Sequence, residues 1–203
     1  MEVVRTRLTA HSTAKEGIEM MSIPHELELR FAGIKVLAAD VDGVLTDGGM
    51  YYSERGDELK KFNTRDGKGI ELLREKGVRV VFVTGESTKL VKRRARKLGV
   101  DALYQGVRDK AAVIEQLLVK YEISRREIAY IGDDVNDLSA FRAAGLAITV
   151  GDGLPENRRM ADYVTQAGGG EGAVREVATL ILAAKANAAS SANALKHNGE
   201  PLR

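Results

Sequence analysis

Residues 36–49 read Val-Leu-Ala-Ala-Asp-Val-Asp-Gly-Val-Leu-Thr-Asp-Gly-Gly, and they place two carboxylates where an apolar run stops. Ile34, Val36, Leu37, Ala38 and Ala39 have the character and length of a buried strand; Asp40 and Asp42 follow, then Gly43. Residues two apart on a strand share a face, so Asp40 and Asp42 lie on the same side if strand geometry persists through them. Two like charges that close do not both ionise without a cation between them or a proton on one. The pair predicts a metal site, an acid/base pair, or both, with an acidic surface loop as the plain alternative.

Similar boundaries recur along the chain. The β-branched run 78–83 stops at Thr84-Gly85, just before a basic helix. The short run 128–131 stops at Gly132-Asp133-Asp134-Val135-Asn136-Asp137, and between the two Asp109-Lys110 opens a periodic helix over 111–121. Ligands of open parallel sheets bind outside the carboxyl ends of the strands. Asp, Thr, Lys and Asp at four such boundaries can therefore converge.

The elements that must hold them alternate. Helix 67–76, strand 78–83, helix 87–98, a strand near 103–105, helix 109–121, strand 128–131, helix 136–143, strand 146–150, a helical turn near 155–160, strand 163–164 and a helix over 172–184 follow one another. This alternation predicts an α/β fold with a doubly wound, mainly parallel, Rossmann-like sheet and helices on both faces. A turn-rich segment, 53–57, lies between Met50-Tyr51-Tyr52 and Leu59-Lys60-Lys61-Phe62 and reads as a β-hairpin flap. Residues 1–24 are polar and weakly patterned, an extension in which Met20-Met21 offers an alternative start. Residues 25–185 form the domain, and 186–203 are an Ala/Asn/Ser-rich low-complexity tail.

Composition narrows the function. The chain has 203 residues, enough for one domain with a substantial core, and a formal net charge of +2, which gives no general polyanion-binding surface. Absence of Cys excludes disulfides, thiolate zinc sites and a cysteine nucleophile, and fits the cytoplasm. No apolar run approaches membrane-spanning length, and the N-terminus lacks the apolar core of a secretory signal. The expected partner is a small molecule, with neither nucleic acid nor membrane.

The ordered set Asp40-Val41-Asp42-Gly43, Thr84, Lys110 and Gly132-Asp133-Asp134 resembles the haloacid dehalogenase superfamily of phosphohydrolases over about residues 34–185. Narrower signatures, at 42–48, 61–67, 104–106 and 170–176, are similar to the small phosphatases of phosphorylated 2-keto-3-deoxy sugar acids. These act on 3-deoxy-D-manno-octulosonate (KDO) 8-phosphate or the nonulosonate (KDN) 9-phosphate. The resemblance implies hydrolysis of a phosphomonoester through an aspartyl-phosphate. It makes Asp40 the nucleophile and Asp42 the general acid, then base. Mg²⁺ would lie between Asp40, the backbone carbonyl of Asp42, and Asp133. Thr84 would donate to a phosphoryl oxygen and Lys110 would supply positive charge. Asp134 and Asp137 would hold water ligands or orient Lys110.

For the substrate, the resemblance marks Asn63, Thr64, Arg65, Asp66 and Gly67 as a substrate loop, with Glu86, Lys97, Lys110 and Asn136 also reaching it. In helix 87–98, Leu90, Val91, Ala95 and Leu98 define an apolar arc; five of six cations fall outside it, but Arg94 falls inside. A buried arginine needs a partner, either a substrate carboxylate or an internal Asp or Glu. Octulosonate phosphatases carry Arg after Thr-Gly where this chain has Glu86, so Glu86 with Lys97 looks like the nonulosonate enzymes. The Thr-Arg-Asp-Gly loop instead looks like the octulosonate ones. No insertion is long enough for a cap domain, and the family closes such capless sites by forming homotetramers. Two other readings compete: a phosphoacceptor receiver, disfavoured by the order of the acidic motifs, and an idle assembly domain linked to sugar-nucleotide synthesis.

Overall fold

The computed structural model describes residues 23–56 and 58–197; the expected extension lies outside the described residues except for Ile23 and Pro24, as does the end of the tail, 198–203. Strands β1 (Val36–Ala39), β4 (Arg79–Val83), β5 (Ala102–Tyr104), β6 (Ile128–Gly132), β7 (Leu146–Thr149) and β8 (Tyr163–Val164) form one sheet in the order β5-β4-β1-β6-β7-β8. Every pairing in it is parallel. Strand order reverses at β1, which has β4 on one side and β6 on the other. That is the switch point at which an open α/β sheet forms its ligand crevice. A separate antiparallel hairpin, β2 (Tyr51–Tyr52) and β3 (Glu58–Leu59), follows β1.

The unbroken apolar strands are buried on both faces, as parallel sheets require. Leu37 and Ala39 face a layer with Phe31 of α1 (His25–Gly33), Ile70 and Leu73 of α2 (Thr64–Glu75), Val91 and Ala95 of α3 (Lys89–Leu98), and Val177 and Ile181 of α7 (Ala173–His197). Val36 and Ala38 face the other layer, with Val113, Ile114 and Leu117 of α4 (Lys110–Tyr121) and Phe141 of α5 (Leu138–Ala143). The remaining helix, α6 (Pro155–Met160), precedes β8.

Two boundaries differ from expectation by more than two residues. Helix α2 starts three residues early because the Oδ1 of Asn63 accepts from the backbone N–H of Arg65 at 2.8 Å, a side-chain N-cap. Helix α7 continues to His197 instead of ending at 184. Its core contacts do fade there, since Ala184 is buried and residues 186–192 are exposed. Alanine carries the highest helix propensity, so the Ala-rich composition read as a tail prolongs the helix. Asn187 also donates to Glu28 of α1 at 2.7 Å.

Candidate active site

Asp40 continues the parity of Val36 and Ala38, so it faces the layer that begins with α4. There Lys110, the first residue of α4, is buried with its Nζ 2.8 Å from Asp40 Oδ2 and 2.6 Å from Asp137 Oδ1. Asp109 beside it is an ordinary helix cap, accepting from Ala112 N–H. Burial works against the charge of Lys110, yet Asp40 and Asp137 together hold its pKa above the usual lysine value. Asp133 completes the group: one oxygen from each of Asp40, Asp133 and Asp137 lies within 4.8 Å of the others.

The three carboxylates are not equivalent. Asp137 is wholly buried and its oxygens are engaged: Oδ1 accepts from Lys110 and from the Tyr130 hydroxyl at 2.7 Å, and Oδ2 accepts from Asp133 N–H at 2.9 Å and Asp134 N–H at 3.3 Å. Asp133 Oδ1 is buried without a protein partner among the described residues. Burial and the neighbouring acids raise Asp40 to about 7 and Asp133 to about 8. Three carboxylates against one ammonium leave two formal negative charges unbalanced. The donors are hard oxygens, one of them orphaned, and this fits a divalent cation such as Mg²⁺. Asp40 and Asp133 would hold it; Asp137, already saturated, orients Lys110. Close approach here depends on Gly43 (φ +82°), since a Cβ at that position would lie 2.0 Å from Asp133 Oδ2.

Strand geometry does not persist to Asp42. The chain turns after Asp40, with Leu45 and Thr46 N–H donating to Val41 carbonyl, and this carries the Asp42 side chain away from the acidic cluster. Its Oδ1 meets Lys60 Nζ at 2.6 Å and the Thr46 hydroxyl at 3.5 Å, while Oδ2 is buried without a protein partner among the described residues. Of the expected metal set, Asp42 therefore has only its backbone carbonyl to offer. Lys60 is a site residue that sequence reasoning missed. Its side chain is 0% exposed, and Glu58 and Glu86 also lie near its Nζ, at 3.6 and 3.7 Å. Burial opposes its charge, but Asp42 and the two glutamates keep its pKa above the usual value. Thr84, at the end of β4, is buried; its hydroxyl oxygen accepts from Glu86 N–H at 3.1 Å, which leaves the hydroxyl proton to donate.

The expected substrate loop is turned partly inward: Asp66 and Gly67 are buried, Asn63 is half-buried, and Thr64 and Arg65 are exposed. Asn63 caps α2 and donates from Nδ2 to Gly170 carbonyl at 3.0 Å. Asp66 is buried and accepts from Arg175 N–H at 2.9 Å at the start of α7; burial raises its pKa against the opposing pull of that bond. Gly67 makes room for Arg94, whose Nη2 would lie 3.0 Å from a Cβ there. Thr64, Arg65, Lys97 and Asn136 are exposed, and no hydrogen bond or ion pair among the described residues joins their side chains to the acidic cluster. Asp134 is exposed too; its side chain accepts from Val135 N–H in a capping turn and does not orient Lys110.

Arg94 is half-buried as its place in the arc required. It donates from Nη2 to Asn63 carbonyl at 2.9 Å, lies 5.3 Å from the Phe62 ring centre, and keeps a buried Nε without a protein partner among the described residues. The other five cations of α3 are exposed, a solvated basic face. Among the described residues no helix is long and apolar enough to cross a membrane.

Comparison with known proteins agrees with this geometry. The family model of the haloacid dehalogenase-like hydrolases matches residues 54–145. A 3-deoxy-D-manno-octulosonate 8-phosphate phosphatase of Yersinia pestis is 44% identical over 156 residues, covering 77% of this chain and 83% of the relative. The crystal structure of the corresponding phosphatase of Moraxella catarrhalis, in complex with magnesium, phosphate and KDO, superposes with a TM-score of 0.78 at 40% identity, covering 84% of this chain and 98% of that one. A cobalt-bound phosphatase of the same kind from Haemophilus influenzae gives a TM-score of 0.75 at 35% identity, covering 77% and 92%. The fold and site define a haloacid dehalogenase-like hydrolase. Within that class the chain belongs to the phosphatase family of these relatives, and the receiver and idle-domain alternatives are not favoured.

Proposed function

We infer that the chain is an Mg²⁺-dependent phosphatase that releases phosphate from 3-deoxy-D-manno-octulosonate 8-phosphate. The observation that carries this reading is the separation of the acids into two sets. Asp40 and Asp133, beside Lys110, form an end suited to a cation and a phosphoryl group, while Asp42 stands apart with its own lysine and can work as an acid and base.

The residues then divide the reaction. Asp40 attacks phosphorus and forms an O–P bond as the bond to the sugar oxygen breaks. Asp42 gives its proton to that departing oxygen. In the second half, Asp42 takes a proton from water as the water attacks phosphorus, which frees Asp40 and inorganic phosphate. Lys110 and the Thr84 hydroxyl hold the phosphoryl oxygens, fixed beforehand so that little reorganisation is needed. Mg²⁺, when bound by Asp40, Asp133 and the Asp42 carbonyl, neutralises charge on the phosphoryl group.

For the leaving sugar acid, the unpartnered Nε of Arg94 supports carboxylate recognition, and Glu86 supports recognition of sugar hydroxyls. Glu86 also supports a second substrate, the nonulosonate 9-phosphate. The exposed Tyr51, Tyr52 and Leu59 on the hairpin support its role as the joining element of a homotetramer in the cytoplasm, in which neighbours wall each capless site. Turnover of both sugar-acid phosphates with Mg²⁺ tests the reading. Activity is expected on at least one of them and is expected to vanish in Asp40→Asn; substantial turnover by that variant would refute the nucleophile.

A further inference from the structure

The hairpin carries a cation into the site that no superfamily motif accounts for. Its base is fixed by an antiparallel bridge between Phe62 and Thr46, four residues beyond Asp42. Two residues before Phe62, Lys60 drops from β3 onto Asp42, and its side chain is wholly enclosed. A buried ammonium is costly unless paired, and here Asp42 at 2.6 Å is the shortest of its three carboxylate contacts. On Asp42 the division of labour is clear: Oδ1 is held by Lys60 and Thr46, whereas Oδ2 has no protein partner among the described residues.

We propose that Lys60 is a positioning residue for proton transfer: it pins Oδ1 of Asp42 so that Oδ2 is the oxygen that carries the proton to the leaving group. The proposal rests on Asp42 being the general acid. It also gives the hairpin a role beyond covering the site, because Asp42 has its working orientation only when the hairpin is docked. Glu86 shares the same ammonium, so the position that reads sugar hydroxyls is joined to the acid through one side chain.

A sugar alkoxide is a poor leaving group that needs the proton, whereas p-nitrophenolate departs without one. The ratio kcat/KM reports steps through cleavage of the ester, before hydrolysis of the aspartyl-phosphate. Misplacing a catalytic group by about 1 Å can cost about 100-fold. Lys60→Met should therefore lower kcat/KM for the sugar-acid phosphate by about 10- to 100-fold, and for p-nitrophenyl phosphate by less than about 5-fold. Lys60→Arg, which keeps a charged donor, should recover most of the loss. Equal losses on the two esters would mark Lys60 as merely structural and overturn the proposal, and so would no loss on either. If Lys60→Met does not fold, Lys60→Gln is read against the same two esters by the same criterion. Asp42→Asn, measured alongside, separates the two levels. If it lacks the leaving-group dependence, the role of Asp42 fails; if it shows the dependence and the Lys60 variants do not, only the Lys60 inference fails.

Discussion

Removing the divalent cation should make stability depend on pH in a direction that the acidic cluster sets. Without a cation, burial and neighbouring carboxylates raise Asp40 to about 7 and Asp133 to about 8, above their ordinary value of 3.8. In the unfolded chain both ionise near the ordinary value. Between these limits the folded state binds more protons at these two acids, so their contribution to the stability of the metal-free protein is fullest below about pH 4 and is lost as pH rises through 7 to 8. Each unit of pKa weighs about 1.4 kcal/mol. Both shifts have burial as their first cause and Asp40 adds to that of Asp133, so they are counted as one conflict of about three units, on the order of 4 kcal/mol. A cation relieves that conflict at pH 8 and competes with protons at pH 5.5. At a hundredfold excess over Kd it stabilises by about 2.7 kcal/mol, which for a domain of this size is about 5–11 °C in Tm. Calorimetry with chelator and with Mg²⁺, at both pH values, isolates this increment, since titrating groups remote from the site cancel in the difference. A large Mg²⁺-dependent rise at pH 8 and a small one at pH 5.5 is expected. An equal rise at both, or none, would refute the placement of the cation among these acids.

Other outcomes follow from individual contacts. Arg94→Ala should lower kcat/KM for the sugar-acid phosphate by about 10- to 150-fold, the value of about 1.5–3 kcal/mol for a charge-assisted hydrogen bond, and barely change an aryl phosphate; equal loss on both would make Arg94 structural. Glu86→Arg should move the preference ratio from the nonulosonate toward the octulosonate phosphate while lowering both absolute rates, because it places a second cation near Lys60. Gly43→Ala should weaken Mg²⁺ binding at least tenfold by calorimetric titration, since its Cβ would displace Asp133 and the φ of +82° disfavours a side chain. Paired substitutions of Tyr51 and Tyr52 by Ser should shift the mass measured by light scattering toward the monomer; an unchanged mass would separate the hairpin from assembly.

What the sequence reveals about the fold and site depends on how local the determining physics is. Apolar runs that end in polar residues set β1, β4 and β6, and the acids and the threonine at their ends follow from the strand direction alone. Lys110 is legible by its place at a helix start, although its burial is not. Lys60 is not legible at all. Lys60 and Lys61 are adjacent and chemically identical, yet just beyond β3 they meet different partners. Lys61 is 62% exposed in a loose pair with Asp47 at 3.5 Å, whereas Lys60 is wholly enclosed on Asp42. Only the register of the hairpin against Thr46, a contact across sixteen residues, decides which of the two enters the site.

The segment 63–67 shows the opposite case, in which a motif is visible and its structural partners are not. Asn63 caps one helix and binds Gly170, Asp66 caps the start of another, and Gly67 yields space to an arginine. The Asn63 and Asp66 side chains satisfy backbone N–H groups at helix starts that would otherwise be unpaired, which requires the same residue types a polar ligand would. The Gly170 that Asn63 grips donates in turn to the Val44 carbonyl in the turn after Asp42, and the Asn63 carbonyl receives Arg94. The segment therefore holds the turn after Asp42 on one side, and the guanidinium proposed to read the sugar acid on the other. Asn63→Ala should accordingly disturb both ends of the substrate at once, which neither an isolated cap nor an isolated ligand contact would do.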